Sequence, residues 1–334
     1  MKILLPVETE PLFVSRFESA VYFSVIQAQA KKYNRDITPW LACQLANYHH
    51  SKSFLWQFDT IKDMNWYAGK KLFFKQEYLS DVRMPGWNEA DVAEIITEAL
   101  KSGKYVHVKA DAFYLPEDAG YNTLHRDTDC LVYGYDNEEE TLYYLRHKPS
   151  LPLSFNKCSL SNMIDAACKR KCGTVSLNLL IYNSDFIFSS DHNDLYNSLY
   201  DFLHSTRQFP PVSRGFEIYY GLKSFQCLRN YICDVGLNYE HIDRKYYSSF
   251  YDFQIATLIR HRYFRETGII NPDSGDEETS LSGLSQNFLS ACMAYNEKGE
   301  AKYLKEAIDC FDEIVSIDTV ITVRLLKALD NLSN

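Results

Sequence analysis

The chain has 334 residues, with 35 Lys plus Arg against 44 Asp plus Glu, a net charge of −9. That balance excludes a general nucleic-acid binder, which needs a basic face to neutralise phosphates. An apolar content of 46% excludes a disordered chain, and at roughly 150 residues per domain the length suggests two domains.

Residues 15–34 read as a helix, because Phe17, Val21, Val25 and Ala28 recur on one face. After a Pro-containing turn, a second helix is expected over residues 40–50. Residues 51–87 are aromatic and irregular, with Trp56, Trp66, Phe73, Phe74 and Trp87 among them. Asn88 caps a helix with acidic residues in its first turn, and Gly103 stops it. Residues 104–111 alternate: Tyr105, His107, Lys109 and Asp111 on one side, Val106, Val108 and Ala110 on the other. That is the pattern of a half-buried strand. A polar loop over 116–128 leads to a strand at 130–135, which a turn at 136–140 returns as a hairpin through 141–146. A short strand at 151–155, a helix capped near Ser159 and stopped by Gly173, and a long strand at 174–182 complete this part. Past residue 186 the strand signal stops. Helices are expected at 191–206, 216–235, 240–267, 280–296 and 301–332, so the reading is a mixed domain at 1–185 and a helical domain at 186–334.

No run of 18 uncharged apolar residues predicts a transmembrane helix, and the apolar start ahead of Glu8 and Glu10 is too short for a signal peptide. The nine cysteines are odd in number and scattered, which reads as reduced thiols in a cytoplasmic protein. Cys168 and Cys172 stand i, i+4, with no second pair or His beside them to complete a metal site. The 25 Tyr and 20 Phe leave two readings open, an aromatic-walled cleft around 56–87 and 105–135 or a Tyr-rich core.

An N-terminal helix followed by an antiparallel sheet with a His at a strand entrance is the order of papain-like enzymes. There a Cys at a helix N-terminus is favoured as thiolate, and a His from the sheet serves as its base. His125 is the candidate base, and a solvated loop histidine is the plain alternative.

The segments Val106-His-Val-Lys-Ala-Asp-Ala-Phe-Tyr-Leu-Pro116, Tyr121-Asn122, His125 and Asp129-Cys-Leu-Val-Tyr-Gly-Tyr-Asp136 resemble the core motifs of the butirosin-biosynthesis protein H family. Val21-Tyr-Phe-Ser-Val-Ile26, Lys32-Tyr-Asn34 and Pro39-Trp-Leu41 are similar to that family's first helix and turn. The resemblance covers roughly residues 10–185 as ordered motifs, and the helical region also suits it. It implies an α+β, papain-like cysteine-protease fold followed by an all-helical region. It also implies amide-forming acyl transfer in nonribosomal antibiotic biosynthesis, including closthioamide-type polythioamide assembly. An active-site Cys takes the acyl group from a carrier-protein thioester, and an amine accepts it. The implied partners are an acyl or peptidyl carrier protein with a phosphopantetheine thioester and a small amine. No cofactor, metal, nucleic acid or membrane is called for.

The sequence departs from the family where the chemistry is sharpest. The family's Cys aligns with Ala20, which cannot attack a carbonyl. A deliberate Cys-to-Ala change, a natural pseudoenzyme, and service by Ser19 or a one-residue shift of register all remain open. Relatives commonly carry a His three residues after His125, where this chain has Thr128. For the residue that orients the base, Asp136 is too far, since six strand residues span about 20 Å; turn chemistry explains it better. Papain-like enzymes place an Asn or Asp near Arg146 and His147, and no carboxylate is there. Asp111 is the first choice and Asp129 the second, with amine binding or loop capping as alternatives for both. Glu18, Tyr114 and Tyr121 are candidate pocket residues, with ordinary packing the alternative for the tyrosines. Lys70, Lys71 and Lys75, or residues 169–171, are candidate docking patches for a carrier protein, although charge runs usually are solvated faces. The sequence reading is therefore a cysteine-dependent acyltransferase lacking its nucleophile as written. A non-catalytic ligand-binding protein is the runner-up, and a thiol hydrolase or peptidase comes third.

Overall fold

The computed structural model describes residues 2–13, 18–43, 47–51, 57–59, 74–80, 87–147, 153–206, 218–238, 241–271 and 275–333. The chain divides into two compact units, residues 1–35 with 67–186, and residues 36–66 with 187–334. In this division residues 36–66 group with 187–334.

The first unit is α+β. Its seven-stranded sheet runs in the order β4 (Phe74–Ser80), β9 (Ser176–Tyr182), β5 (Tyr105–Asp111), β6 (Asp127–Asp136), β7 (Thr141–Arg146) and β8 (Ser154–Ser159). β1 (Lys2–Leu4) pairs with β6, and every pairing is antiparallel. The alternation in β5 decides what each face of the sheet meets. Val106, Val108 and Ala110 join Cys130, Val132, Leu177 and Leu179 in a core that also takes Val92 and Ile96 from α3 (Glu89–Lys101) and Met163 and Ala166 from α4 (Leu160–Cys168). Each fully buried aliphatic side chain there contributes about 1.5–3 kcal/mol. On the other face, Tyr22 and Gln29 reach His107 and Tyr105 from a π turn (Glu18–Tyr22) and α1 (Phe23–Lys32). Gly134 sits where the β6–β7 register shifts. A Cβ there would lie 2.5 Å from Leu4 Cδ2 and 2.8 Å from the Ile3 carbonyl oxygen, so β1 closes on β6 only because this residue has none.

The second unit holds α2 (Thr38–Cys43) and the helices α5 (His192–His204), α6 (Gly221–Asn238), α7 (Arg244–Glu266), α8 (Gly275–Lys298) and α9 (Ala301–Ser333). A three-stranded sheet joins them in the order β10 (Ile218–Tyr220), β2 (Asn47–Ser51) and β3 (Gln57–Asp59). Phe202, Phe225, Phe250, Phe253, Phe288 and Phe311 form one ring-on-ring core. Arg260, fully buried on α7, donates Nε–H to the Ala42 carbonyl at 3.0 Å, satisfying a carbonyl in the last turn of α2. That bond helps to explain why residues 36–66 fold with the helices.

Most expected elements form, with several differences. The strands Gln57–Asp59 and Phe74–Ser80 lie in the stretch expected as irregular, and a π turn, Glu18–Tyr22, stands within the expected first helix. The helix expected over 40–50 ends at Cys43, and Asn47–Ser51 is a strand. The strand expected at 151–155 lies at Ser154–Ser159, and residues 148–152 lie outside the described set. The helix expected from 216 begins at Gly221, after the strand Ile218–Tyr220. All nine cysteines are free thiols. Among the described residues, no helix is long and apolar enough to cross a membrane, and no group of three His, Cys, Asp or Glu side chains is placed to hold a metal ion.

Candidate functional site

The site is built at the end of β5. Asp111 is the last residue of that strand, and its buried carboxylate organises the loop that follows. Oδ1 accepts the Phe113 N–H at 3.0 Å and the Arg126 N–H at 3.1 Å, while Oδ2 lies 2.7 Å from His125 Nδ1. The Ala112 N–H donates to the Arg126 carbonyl at 2.9 Å and closes the loop at its base. Burial pushes the Asp111 carboxyl up, but the His125 bond and the two backbone N–H groups outweigh it and hold the carboxyl below its ordinary range. An ionised Asp111 only accepts, so Nδ1 of His125 carries the proton and Nε2 is the accepting nitrogen of the neutral ring. Phe113 stacks on the imidazole at 4.2 Å and 11°, and the Tyr114 ring stands edge-on at 6.1 Å. The His125 side chain is 34% exposed, and among the described residues Nε2 has no hydrogen-bond partner. This is an oriented imidazole with one nitrogen open, the arrangement a general base requires.

A second histidine pair lies further inside the sheet, four residues back along β5 from Asp111. His107 Nε2 is 2.8 Å from Asp129 Oδ1, and Nδ1 is 2.9 Å from the Tyr22 hydroxyl. Asp129, the second choice to orient His125, therefore serves a different histidine. The reason is register: Lys109 pairs with Asp129, which sets Asp129 diagonal to His107 on the polar face of β5 and β6.

Ala20 lies within the π turn that precedes α1 and is fully buried. Among the described residues, no hydrogen bond or ring contact joins His125 to α1. The contacts from that helix and its π turn fall on His107 and Tyr105 instead. Thr128 is hydrogen-bonded at 3.0 Å by Arg146 Nη2, and the same nitrogen meets Asp118 Oδ2. Asp118 also accepts the Gly120 N–H at 2.7 Å and Arg126 Nη2 at 3.2 Å. Burial raises the Asp118 carboxyl, but these donors together bring it below its ordinary range.

The remaining candidates are more dispersed. Tyr114 packs against the core and Phe113, and Tyr121 is exposed at the loop surface. The Glu18 and Ser19 side chains, with Lys70 and Lys71, lie outside the described residues. Asp136 accepts the Glu138 N–H at 3.1 Å, which is turn chemistry. Of the proposed docking cations, Lys75 faces Asp185 at 3.8 Å, Lys169 meets Asp165 at 2.6 Å, and Arg170 grips Asp127 through two nitrogens at 3.2 and 3.0 Å. Much of that positive charge is thus spent inside the unit. Sequence reasoning missed His107 and the Asp118–Arg146 pair. The alternation of β5 was the available signal for the first; nothing local in the sequence marks the second. No family model matches the chain, and no curated protein matches it.

Proposed function

We propose that this chain is a non-catalytic ligand-binding protein on a papain-like acyl-transferase frame, holding a carrier-bound acyl or peptidyl group, or its amine acceptor, without forming an acyl-enzyme. The carrying observation is what occupies the positions where the resembled family keeps its nucleophile and commonly carries a second loop histidine. Ala20 is fully buried at the start of the first helix, and Thr128 is tied to Arg146, which is itself clamped by Asp118. The Arg146 contacts hold strands and loop together, and an alanine at position 20 has no thiol to acylate. The packing of the π turn and α1 on an antiparallel sheet supports the papain-like frame.

A second reading, direct acyl transfer, draws on the Asp111–His125 pair. His125 Nε2 would take the proton of an amine as it attacks the carrier thioester. The amide bond forms, the C–S bond breaks, and the proton leaves with the carrier thiol.

The test is incubation of the full chain with an acyl-phosphopantetheinyl carrier protein, with and without a diamine, followed by intact mass and binding measurements. The proposal expects saturable carrier binding, no acyl adduct and no amide above the uncatalysed rate. Amide product that vanishes in His125→Ala would replace it with the transferase reading. An adduct that appears only in Ala20→Cys would support the inherited frame.

A further inference from the structure

We infer that the Arg146 guanidinium and the Tyr144 hydroxyl form a buried carboxylate-binding subsite in the sheet unit, beside the Asp118 ion pair. β7 places the two residues two apart, hence on one face of the sheet. Arg146 is 2% exposed and Tyr144 is fully buried. A guanidinium carries five N–H donors and no acceptor. Nη2 is used, by Asp118 Oδ2 and Thr128 Oγ1. Nε and Nη1 are buried without a hydrogen-bond partner among the described residues, and the Tyr144 hydroxyl is in the same condition.

The surroundings offer these donors little to bind. Asp118 already receives Gly120, Arg126 and Arg146. The nearby Cys130 and Cys158 are thiols that burial keeps protonated, and burial likewise keeps the Tyr144 phenol protonated and able to donate. An orphaned buried donor is costly, the more so on a charged group. Asn156 and Ser154, on the adjoining strand β8, have their own hydrogen-bond partners. Donors without acceptors around a guanidinium select an anionic oxygen. A carboxylate supplies two, in a flat group small enough for a packed interior. This subsite requires neither a carrier protein nor a nucleophile, so it stands independently of the function proposed above.

The test is a sodium acetate titration of the full chain, reading the Arg146 Nε–H resonance, with sodium chloride at matched ionic strength as control. A saturable shift with acetate alone is expected. In Tyr144→Phe, which keeps the ring, affinity should fall about tenfold. In Arg146→Lys, which keeps a cation facing Asp118, the acetate-dependent shifts of the β7 amides should be lost. A shift that is equal in chloride, that never saturates, or that is undiminished in Tyr144→Phe overturns the inference.

Discussion

Removing the Asp118 carboxylate tests whether the loop that carries His125 is held by a buried charge pair. Both side chains of the Asp118–Arg146 pair are 2% exposed, so neither charge is solvated. In Asp118→Ala the guanidinium stays in the interior without its counter-ion, and the Gly120 N–H loses its acceptor. Breaking one side of such a pair costs about 3–5 kcal/mol, against a total stability of about 5–15 kcal/mol for a domain. Arg126 contributes little to this figure, because its side chain is half exposed and its attraction is screened. Arg146→Met should cost a similar amount by stranding the carboxylate, whereas the double variant should cost far less than the sum. Hydrogen exchange of the β6 and β7 amides reads this opening within the sheet unit. The Asp118 carboxyl is held below its ordinary range when folded. Its contribution is therefore complete above the unfolded value and is lost as pH falls through the folded one. Wild type should weaken in acid, and Asp118→Ala should show a shallower acid dependence. A single-variant loss below about 1 kcal/mol, the worth of an exposed pair, or additive losses in the double variant, would refute the reasoning.

Asn88→Ala removes a side chain that accepts the Ala90 and Asp91 N–H groups, and it should cost the sheet unit about 1 kcal/mol in urea unfolding. Gly221→Ala introduces a Cβ 1.9 Å from the Phe202 carbonyl oxygen at φ +54°. It should destabilise the helical unit by at least about 2 kcal/mol, seen as a lower Tm. Diethyl pyrocarbonate attacks accessible neutral imidazole nitrogens, so peptide mapping should find His125 carbethoxylated well before His107; equal rates would contradict the assignment of the open nitrogen. Asp111→Asn removes the ionised acceptor, so the Phe113 and Arg126 amides of the loop should exchange faster with solvent.

The polar loop ahead of β6 and the alternation of β5 made much of this site readable in advance. A strand with apolar Val106, Val108 and Ala110 must turn His107 and Asp111 to the other face, and Asp111 at its end meets the loop that returns through His125. What could not be read is register. One diagonal step gives Asp129 to His107 instead of His125, and no local pattern distinguishes the two outcomes. Residues 47–50 fall within the helix expected over 40–50. Their pairing with Gln57–Asp59 and Ile218–Tyr220 makes them a strand, a preference that only tertiary contact supplies. Arg146 is still less legible. Its sequence context is that of an ordinary hairpin strand, and its partner Asp118 lies in a loop whose path is fixed only when Asp111 closes it.

The two histidine–carboxylate pairs start from the same strand, yet only one is available for chemistry, and burial decides which. His107 is 9% exposed, and both of its ring nitrogens are committed, one to Asp129 and one to the Tyr22 hydroxyl. An imidazole so placed pins the π turn ahead of α1 to the sheet. His125 spends one nitrogen on Asp111 and keeps the other open beside Phe113 and Tyr114. The consequence reaches position 20. Tyr22 stands on the same π turn as Ala20 and already holds Nδ1 of the histidine facing that helix. Removing the Tyr22 phenol would cost that turn its hydrogen bond to the sheet. His107 thus anchors that turn to the sheet, and His125 is the imidazole of the two that keeps a nitrogen open.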